Sequence, residues 1–407
     1  MKKKHLVFST VFSVIACINL SACSGQTFPG SQSLDSLGSL FGNKKSRPIP
    51  LPPLKAISNT INVKKAWQIN TGSINKITKI HPLVGKDSIY VAGNHSASAW
   101  NKQSGKALWK VNIGETISAG INNDASNKQL FIGTNNGNAI SLDASTGKVL
   151  WIERLDSEIL SVSRAKDNRV VFRTIDGKLH GLSSSSGEII WQQGQRTPAL
   201  SQYGASVPLI LGNSPANTFV IAGFDNGKLA TYSLQNGKQV WELAIAEPKG
   251  QSELDRMVDI DGKLSVMGTA LFASSLNGNN VGINLETGKI GWAKPFSSPN
   301  GIDASPEGLY SSDVKGNIWK FQAQTGAPMW KMDDLMRREP TTPIIINPSL
   351  IIVGDKQGNL HWINSKNGQF VARMQGDPAG FNVAPTAQGN SIYSLGKGGI
   401  LSKFVVQ

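Results

Sequence analysis

The chain has 407 residues, 42 of them glycine, and a formal net charge of +14. Short apolar runs bounded by Gly, Asn, Asp and Ser dominate after residue 22, and this pattern disfavours a helical bundle and predicts an all-β fold. The lysines and arginines are scattered and match no nucleic-acid-binding motif. A soluble basic surface is therefore the simpler interpretation of the charge, and anionic partners are the alternative.

Residues 1–22 have the order of a secretory signal. Lysines at positions 2–4 precede an apolar run from Leu6 to about Leu20, which is shorter than a membrane-spanning helix requires. The sequence "LSAC" at 20–23 resembles the bacterial lipobox, in which the peptidase cuts before the cysteine and the cysteine receives lipid. Ser24 replaces the aspartate of an inner-membrane retention signal, so the resemblance implies an anchor in the outer membrane, on its periplasmic side. An ordinary cleaved signal with a chance cysteine is the alternative.

The cysteine count supports lipidation. The chain contains only Cys17 and Cys23, and Cys17 lies within the signal. The processed chain would keep one thiol at its first residue, which excludes an internal disulfide and a cysteine-based metal site. A lone thiol in an oxidising compartment is a liability unless it is acylated, so Cys23 is the predicted lipidation site.

Residues 23–62 are predicted to form a lipidated flexible tether. Gly, Ser and Pro dominate its first part, and "RPIPLPPL" at 47–54 favours extended polyproline geometry. In the alternative interpretation, Leu34, Leu37, Leu40 and Phe41 form a brief amphipathic contact.

One motif recurs along the rest of the chain. "STGKVLW" at 145–151 has relatives whose glycines lie 38 to 51 residues apart, and the seventh copy, "KNGQFVA" at 366–372, lacks the tryptophan. A second glycine lies ten residues before each of the last six and marks a hairpin-type turn, where glycine supplies positive φ. In the first repeat His95 takes this position. Five residues later an inward-facing apolar side chain is predicted in each unit: Trp100, Leu142, Leu182, Tyr232, Ile283, Phe321, Ile363 and Phe404.

A repeat of about 40 residues with a strand, a hairpin, a strand, a turn and a tryptophan-bearing strand is typical of a propeller blade. Each tryptophan is expected to cover the turn of the neighbouring blade: Trp67, Trp109, Trp151, Trp191, Trp241, Trp292 and Trp330. No tryptophan strand follows the last hairpin, so the strand around Trp67 should complete that blade. The sequence predicts an eight-bladed β-propeller of four-stranded antiparallel blades over 63–407, closed by the N-terminal strand; seven blades with stray strands is the alternative.

Two repeat steps are longer than the others, at 50 and 51 residues. The excess is assigned to residues 192–218 and 242–263, which are the same connection in consecutive blades. Equivalent connections leave a ring on the same face, so these two loops are expected to lie side by side. Long loops on a rigid scaffold commonly carry function.

The sequence predicts no metal site, no cofactor and no catalytic residue. The histidines after the signal, His81, His95, His180 and His361, lack the spacing of paired metal ligands. His180 and His361 each follow a hairpin glycine by three residues, so packing within a blade is expected for them. No acidic cluster stands out in the inner strands, and no G-x-S-x-G nucleophile motif is present.

The consensus "xDxxTGKxxW" resembles the repeat of the quinoprotein alcohol dehydrogenase-like propellers. Enzymes of that superfamily hold pyrroloquinoline quinone and Ca²⁺ in the central funnel, and many have an adjacent cysteine pair that this chain lacks. The lipobox, tether and eight short blades together resemble the BamB family, the lipoproteins of the outer-membrane β-barrel assembly machinery. Two local matches support this: "ELDRMVDID" at 253–261 is similar to the family pattern DR-x-x-DVD, and "TPALSQYGASVP" at 197–208 to PSLSLRG-x-SAP.

The family resemblance implies a non-catalytic scaffold that binds a POTRA domain of BamA, and other subunits through it, and assists insertion of outer-membrane proteins. Unfolded outer-membrane proteins are a further candidate partner. By position, the partner-binding residues would be Leu200, Gln202, Tyr203, Arg256, Asp259 and Asp261.

Alternatives remain for the roles of the site residues and for the function. Gln202 and Tyr203 replace the family's Leu and Arg, so Tyr203 would contribute packing rather than a salt bridge. Asp259 and Asp261 could instead cap a turn, with Arg256 as an internal partner. The alternative functions are a quinone-dependent periplasmic dehydrogenase and a propeller that binds a small ligand or glycan.

Overall fold

The computed structural model describes residues 51–407; the signal, Cys23 and the front of the tether lie outside this range. Within the described residues, the strands form eight four-stranded antiparallel sheets arranged as a ring. The predicted eight-bladed propeller is therefore confirmed. In the same residues no helix is long and apolar enough to cross a membrane.

The first four blades follow each other directly in sequence, each running from its innermost to its outermost strand. The strands of this half, with the preceding strand of blade eight, are β1 (Val63–Asn70); blade one, β2 (Leu83–Val84), β3 (Ser88–Ala92), β4 (Ser96–Asn101) and β5 (Ala107–Asn112); blade two, β6 (Ile117–Asn123), β7 (Gln129–Thr134), β8 (Asn138–Asp143) and β9 (Val149–Arg154); blade three, β10 (Ile159–Val162), β11 (Arg169–Thr174), β12 (Lys178–Ser183) and β13 (Ile189–Gly194); and blade four, β14 (Leu209–Gly212), β15 (Thr218–Gly223), β16 (Lys228–Ser233) and β17 (Gln239–Ala244). A short 3-10 turn, Pro215–Asn217, joins the first two strands of blade four.

The second half repeats this order and ends within blade eight. Its strands are, in blade five, β18 (Ser265–Met267), β19 (Ala270–Ser274), β20 (Gly278–Asn284) and β21 (Lys289–Phe296); in blade six, β22 (Ile302–Ser305), β23 (Gly308–Ser312), β24 (Ile318–Phe321) and β25 (Pro328–Met332); in blade seven, β26 (Ile344–Asn347), β27 (Leu350–Gly354), β28 (Asn359–Asn364) and β29 (Phe370–Gln375); and in blade eight, β30 (Thr386–Gln388), β31 (Ser391–Leu395) and β32 (Ile400–Val406).

The two ends of the described chain meet in blade eight. Strand β1 pairs antiparallel with β32 from Val63 opposite Val406 to Asn70 opposite Ile400. The Gln407 N–H also donates to the Asn62 carbonyl at 3.0 Å. The prediction that the N-terminal strand supplies the missing outer strand is confirmed.

Burial within a blade falls from the second and third strands to the outermost one. In β7 five of six residues are buried, whereas in β9 every residue is half-buried or exposed. The predicted inward positions are at most 5% exposed, except Trp100, which is half-buried. The cores therefore lie between neighbouring sheets, where each blade covers a face that it cannot bury alone.

Tryptophans on the outermost strands hold neighbouring blades together. Gly147 has a φ of +75°, and a Cβ at this position would lie only 2.5 Å from Cε3 of Trp109. The Trp109 indole N–H also donates to the Ala144 carbonyl at 3.0 Å. The predicted docking is confirmed for all seven pairs: Trp67 with Gly105, Trp109 with Gly147, Trp151 with Gly187, Trp191 with Gly237, Trp241 with Gly288, Trp292 with Gly326 and Trp330 with Gly368.

The seventh repeat has the fully buried Ala372 where the others have tryptophan. Its neighbour is blade eight. The third and outermost strands of that blade, β32 and β1, come from opposite ends of the described chain. No turn connects these strands, so blade eight offers no turn glycine for a tryptophan at 372 to cover.

Two kinds of connection share one face of the ring. The link from an outermost strand to the next blade lies on the same face as the hairpin between the second and third strands, because the strands in each blade alternate in direction. We call this the connection face. The two longest links are residues 195–208, between β13 and β14, and residues 245–264, between β17 and β18. Part of the first predicted excess, 192–218, instead forms β14 and the turn that follows it.

Candidate partner-binding site

The two long connections contact each other on the connection face. The backbone N–H of Gln202 donates to Oδ1 of Asp259 at 2.7 Å. A Cβ on Gly204 would lie 3.2 Å from Oδ2 of Asp261. The expectation that the loops lie side by side is confirmed.

The residues singled out by sequence fall into two groups. Leu200 is 40% exposed and Tyr203 is 39% exposed, while Gln202 is half-buried. Asp259 and Asp261 are only 1% and 7% exposed. The two carboxylates thus lie beneath the loop surface, and a direct contact with a partner, as the family resemblance implied, would require them to be uncovered.

Arg256 is exposed and forms an ion pair with neither Asp259 nor Asp261. Its Nη1 lies 3.4 Å from Oε1 of Glu253, within the same loop. The alternative that Arg256 is the internal partner of Asp259 or Asp261 is wrong in this structure. An exposed pair of this kind contributes little to stability and leaves the guanidinium available at the surface.

The internal partner of the acids is Arg173, on strand β11 of blade three. This side chain is 1% exposed, its Nη2 donates to Oδ1 of Asp225, and its Nη1 lies 3.9 Å from Oδ1 of Asp261. The guanidinium carbon also lies 5.2 Å from the ring centre of Phe224. Blades three and four and the link into blade five thus meet at one buried charge cluster.

Three carboxylates compete for the charge of one guanidinium in this cluster. Ligand oxygens of Asp225, Asp259 and Asp261 all lie within 4.8 Å of one another. Burial raises the pKa of Asp259 to about 6, against the opposing hydrogen bond from Gln202. Burial raises the pKa of Asp261 to about 7, although the charge of Arg173 opposes the shift. The cluster therefore retains protons at a pH where a solvated aspartate is ionised.

The carboxylate spacing raises the question of a cation, because the quinoprotein enzymes that the repeat resembles hold Ca²⁺. Calcium needs six to eight oxygen ligands around a central position free of positive charge. Here Arg173 already contacts Asp225 and faces Asp261 from within the cluster. The donor set fits a buried arginine and does not fit a divalent cation.

A cavity of about 400 Å³ lies next to the cluster, on the axis of the ring. Asp261, Lys79, His81 and Lys263 are among the residues that line it. Lys263 forms an ion pair with Asp303, and Lys79 donates to the Pro299 carbonyl at 3.1 Å. Desolvation lowers the pKa of His81 to about 4, so its ring is neutral at physiological pH.

Of the four histidines named from the sequence, the two that were expected to pack within blades do so. His180 is 1% exposed, and His361 is fully buried with its Nε2 3.0 Å from Oδ2 of Asp355.

Sequence reasoning missed four residues of this site. Arg173 and Asp225 complete the charge cluster, Glu158 accepts a hydrogen bond from the Tyr203 hydroxyl, and Leu254 is 68% exposed on the second loop. A signal existed for Arg173, since it is the one charged residue among apolar neighbours in "VVFRT" at 170–174. Nothing local to Asp225 marks it, because its partners come from two other repeats.

Comparison with known proteins agrees with the fold and with the family resemblance of the whole chain. Residues 65–332 match the family model described as "Outer membrane protein assembly factor BamB". Proteins with that name from Shewanella oneidensis and Escherichia coli are 30% and 29% identical, covering 87% and 91% of this chain and 91% and 96% of their own.

Solved structures of similar fold include a protein of the same name. The crystal structure of BamB from Moraxella catarrhalis superposes with a TM-score of 0.78 at 25% identity, over 84% of this chain and all of that one. A quinohemoprotein alcohol dehydrogenase from Comamonas testosteroni gives a TM-score of 0.66 at 12% identity over 85% of this chain and 77% of its own, a likeness of fold alone. The chain belongs to the BamB family of outer-membrane protein assembly factors.

Proposed function

We propose that this chain is a non-catalytic scaffold lipoprotein that binds BamA through the two long loops of the connection face and so assists folding and insertion of outer-membrane β-barrel proteins. Its anchor would be lipid on Cys23, which lies outside the described residues, and its place the periplasmic side of the outer membrane. The observation that carries the proposal is a loop with exposed Leu200 and Tyr203 that is tied to the neighbouring loop through Asp259.

The loop geometry suits a binding role because its backbone is already fixed. Ordering a mobile loop on binding costs free energy that a pre-ordered loop has already spent on folding. The Gln202–Asp259 bond and the Tyr203–Glu158 bond hold the segment at two successive residues. Aromatic side chains are favoured at the centre of interfaces, and Tyr203 offers one on a fixed backbone.

The structure suggests different roles for the residues named by family resemblance. Leu200, Tyr203 and Arg256 are exposed and suited to contact a partner. Asp259 and Asp261 would act as positioning residues, which hold the first loop in place from below. Substituting either acid would then weaken binding through the loop and not by loss of a direct contact.

Binding of the purified chain to the periplasmic region of BamA would test the contact residues. Leu200→Ala and Tyr203→Ala should each weaken capture, by roughly tenfold or more if they are central to the interface. Leu108→Ala is the matched control, because Leu108 is also an exposed apolar residue, at 52%, but lies on the rim of blade one. Unchanged capture by both loop variants would refute the assigned site.

The positioning role needs a separate pair of variants. Asp259→Asn keeps an oxygen that can accept the Gln202 N–H, whereas Asp259→Ala removes it. We expect the asparagine variant to retain more binding than the alanine variant, and amide hydrogen exchange at 200–204 to be faster only in the latter. Equal loss of binding with unchanged exchange in both variants would instead indicate that the carboxylate itself meets the partner.

Anchoring is tested independently of the loops. Cys23→Ser should release the protein from membranes, and pelleting with membranes after a high-salt wash would contradict lipid attachment.

The non-catalytic part of the proposal is supported by the acidic cluster beside the axial cavity, where Arg173 and not open space lies among the carboxylates. Addition of pyrroloquinoline quinone and Ca²⁺ should produce neither a bound chromophore nor alcohol oxidation.

A further inference from the structure

Residues Leu51–Asn62, which we call the strap, lie along the outer edge of blade seven. The apolar residues Leu51, Leu54 and Ile57 are half-buried, and the residues between them are exposed. A spacing of three matches the three residues per turn of polyproline II, so one side of the strap faces the propeller. Leu54 packs against the core between blades six and seven, and Ile61 against the core between blades seven and eight.

Backbone and side-chain hydrogen bonds tie the end of the strap to strand β29. The Thr60 N–H donates to the Val371 carbonyl at 2.8 Å. The Arg373 N–H donates to Oδ1 of Asn59 at 3.0 Å. The strap therefore covers part of an edge whose backbone groups are otherwise unpaired, since β29 is the outermost strand of its sheet.

Two arginines hold the front of the strap by its carbonyl oxygens. Arg338 Nη2 donates to the Pro52 carbonyl at 2.5 Å, and Arg373 Nη1 donates to the Lys55 carbonyl at 3.0 Å. Proline-rich backbone has few N–H groups to offer but keeps every carbonyl, so cationic donors are suited to bind it. Hydrogen bonds from charged donors are also the stronger kind.

A buried carboxylate fixes both arginines. Arg373 Nε donates to Nδ1 of His361, so the His361 proton lies on Nε2 and is donated to Asp355 at 3.0 Å. Arg338 Nη1 lies 3.8 Å from the same carboxylate. Asp355, His361 and Arg338 are each at most 3% exposed. The strap therefore binds to side chains that are fixed by hydrogen bonds and ion pairs with one another, and not to mobile surface side chains.

We propose that the strap fixes where the lipid-bearing N-terminal segment joins the ring: at the rim of blade seven, three blades from blade four, which both long loops adjoin. This rests on the proposed lipid anchor. The rim of blade seven is then the part of the ring nearest to the lipid along the chain, and the loops proposed to bind the partner adjoin the far side of the ring. Clamping these twelve residues also removes roughly 40 Å of reach that the extended segment would otherwise add.

Fluorescence energy transfer from single labels to acceptor lipids in vesicles would test this orientation on the full-length lipoprotein. Asn367→Cys and Ser186→Cys place labels before the turn glycines of blades seven and three, in equivalent and exposed positions. Acylation of Cys23 would leave the introduced thiol as the one to label. Transfer should be clearly greater from position 367 than from 186, and equal transfer from the two would overturn the proposal.

A strap variant provides the control. Leu51→Ser, Leu54→Ser and Ile57→Ser together remove its apolar contacts and leave the arginine group intact. Release is verified by faster proteolysis within 51–60 while the ring still unfolds in a cooperative transition, and the released protein should lose most of the difference between the two labels. A difference that persists after verified release would refute the role of the strap, whereas failure of the wild-type protein to float with vesicles would refute the lipid anchor instead.

Discussion

The docking tryptophans allow the hydrogen-bond part of blade-to-blade adhesion to be measured apart from the packing part. Trp109 donates its indole N–H to the Ala144 carbonyl at 3.0 Å, and Trp151 donates to the Ser184 carbonyl at 2.9 Å. Trp67 covers its glycine in the same way, but its buried Nε1 has no hydrogen-bond partner among residues 51–407. Trp67 is therefore the natural control for the other two.

Substitution by phenylalanine keeps an aromatic ring over the glycine and removes the N–H. In Trp109→Phe and Trp151→Phe the loss leaves a carbonyl of the neighbouring blade without its donor, which costs about 1–3 kcal/mol. In Trp67→Phe no hydrogen bond is lost and an unsatisfied donor is removed. Only the weaker packing of the smaller ring destabilises this variant. We expect the first two variants to be less stable than the third by about 1–2 kcal/mol.

The assay is urea unfolding followed by far-UV circular dichroism, since the substitutions remove fluorophores. Unfolding midpoints and slopes should be compared among the three variants, with similar slopes required for the comparison. Equal destabilisation of all three would show that ring packing alone holds the blades together. A larger loss for Trp67→Phe would contradict the reasoning outright.

Two further predictions concern the charge cluster and the turn. Burial raises the pKa of Asp261 to about 7, so the folded state keeps a proton that the unfolded chain loses above about pH 4. The free energy of unfolding should therefore fall as pH rises through this window, and the fall in urea midpoint between pH 5 and pH 8 should be smaller in Asp261→Asn. Gly147→Ala should cost about 1–3 kcal/mol more than Gly114→Ala, because both glycines have positive φ but only the first has Trp109 in the way of a Cβ. Thermal unfolding of the two variants checks this, and equal midpoints would contradict it.

The fold was largely predictable because its determinants are local and repeated. A turn glycine recurs every 38 to 51 residues, followed four residues later by a tryptophan in all copies but the seventh, and each copy supports the same interpretation. The position of the loops was also predictable, since equivalent links must leave a ring on one face. That symmetry places the two loops next to each other, which allows the hydrogen bond between Gln202 and Asp259.

The direction in which individual side chains point was not predictable. The match to "DR-x-x-DVD" drew attention to Asp259 and Asp261 but did not show that their side chains are buried next to Arg173. That arginine is 86 residues before Asp259, on a different blade, so no local pattern joins them. A charge inside an apolar strand was the available clue, and it pointed to a buried partner of opposite sign.

Blade seven concentrates three departures from the repeat, and all of them follow from the position of the chain ends. Because blade eight is completed by β1, its third and outermost strands are joined by hydrogen bonds and not by a turn. A tryptophan at position 372 would have no glycine to cover, and Ala372 lies buried there instead. The chain that leads into β1 of blade eight also runs along the outside of blade seven, where the strap lies beside β29. Arg373, in the position after the missing tryptophan, turns outward to hold the strap. Blade seven thus lacks the tryptophan contact to its neighbour, and the same strand instead binds the N-terminal segment.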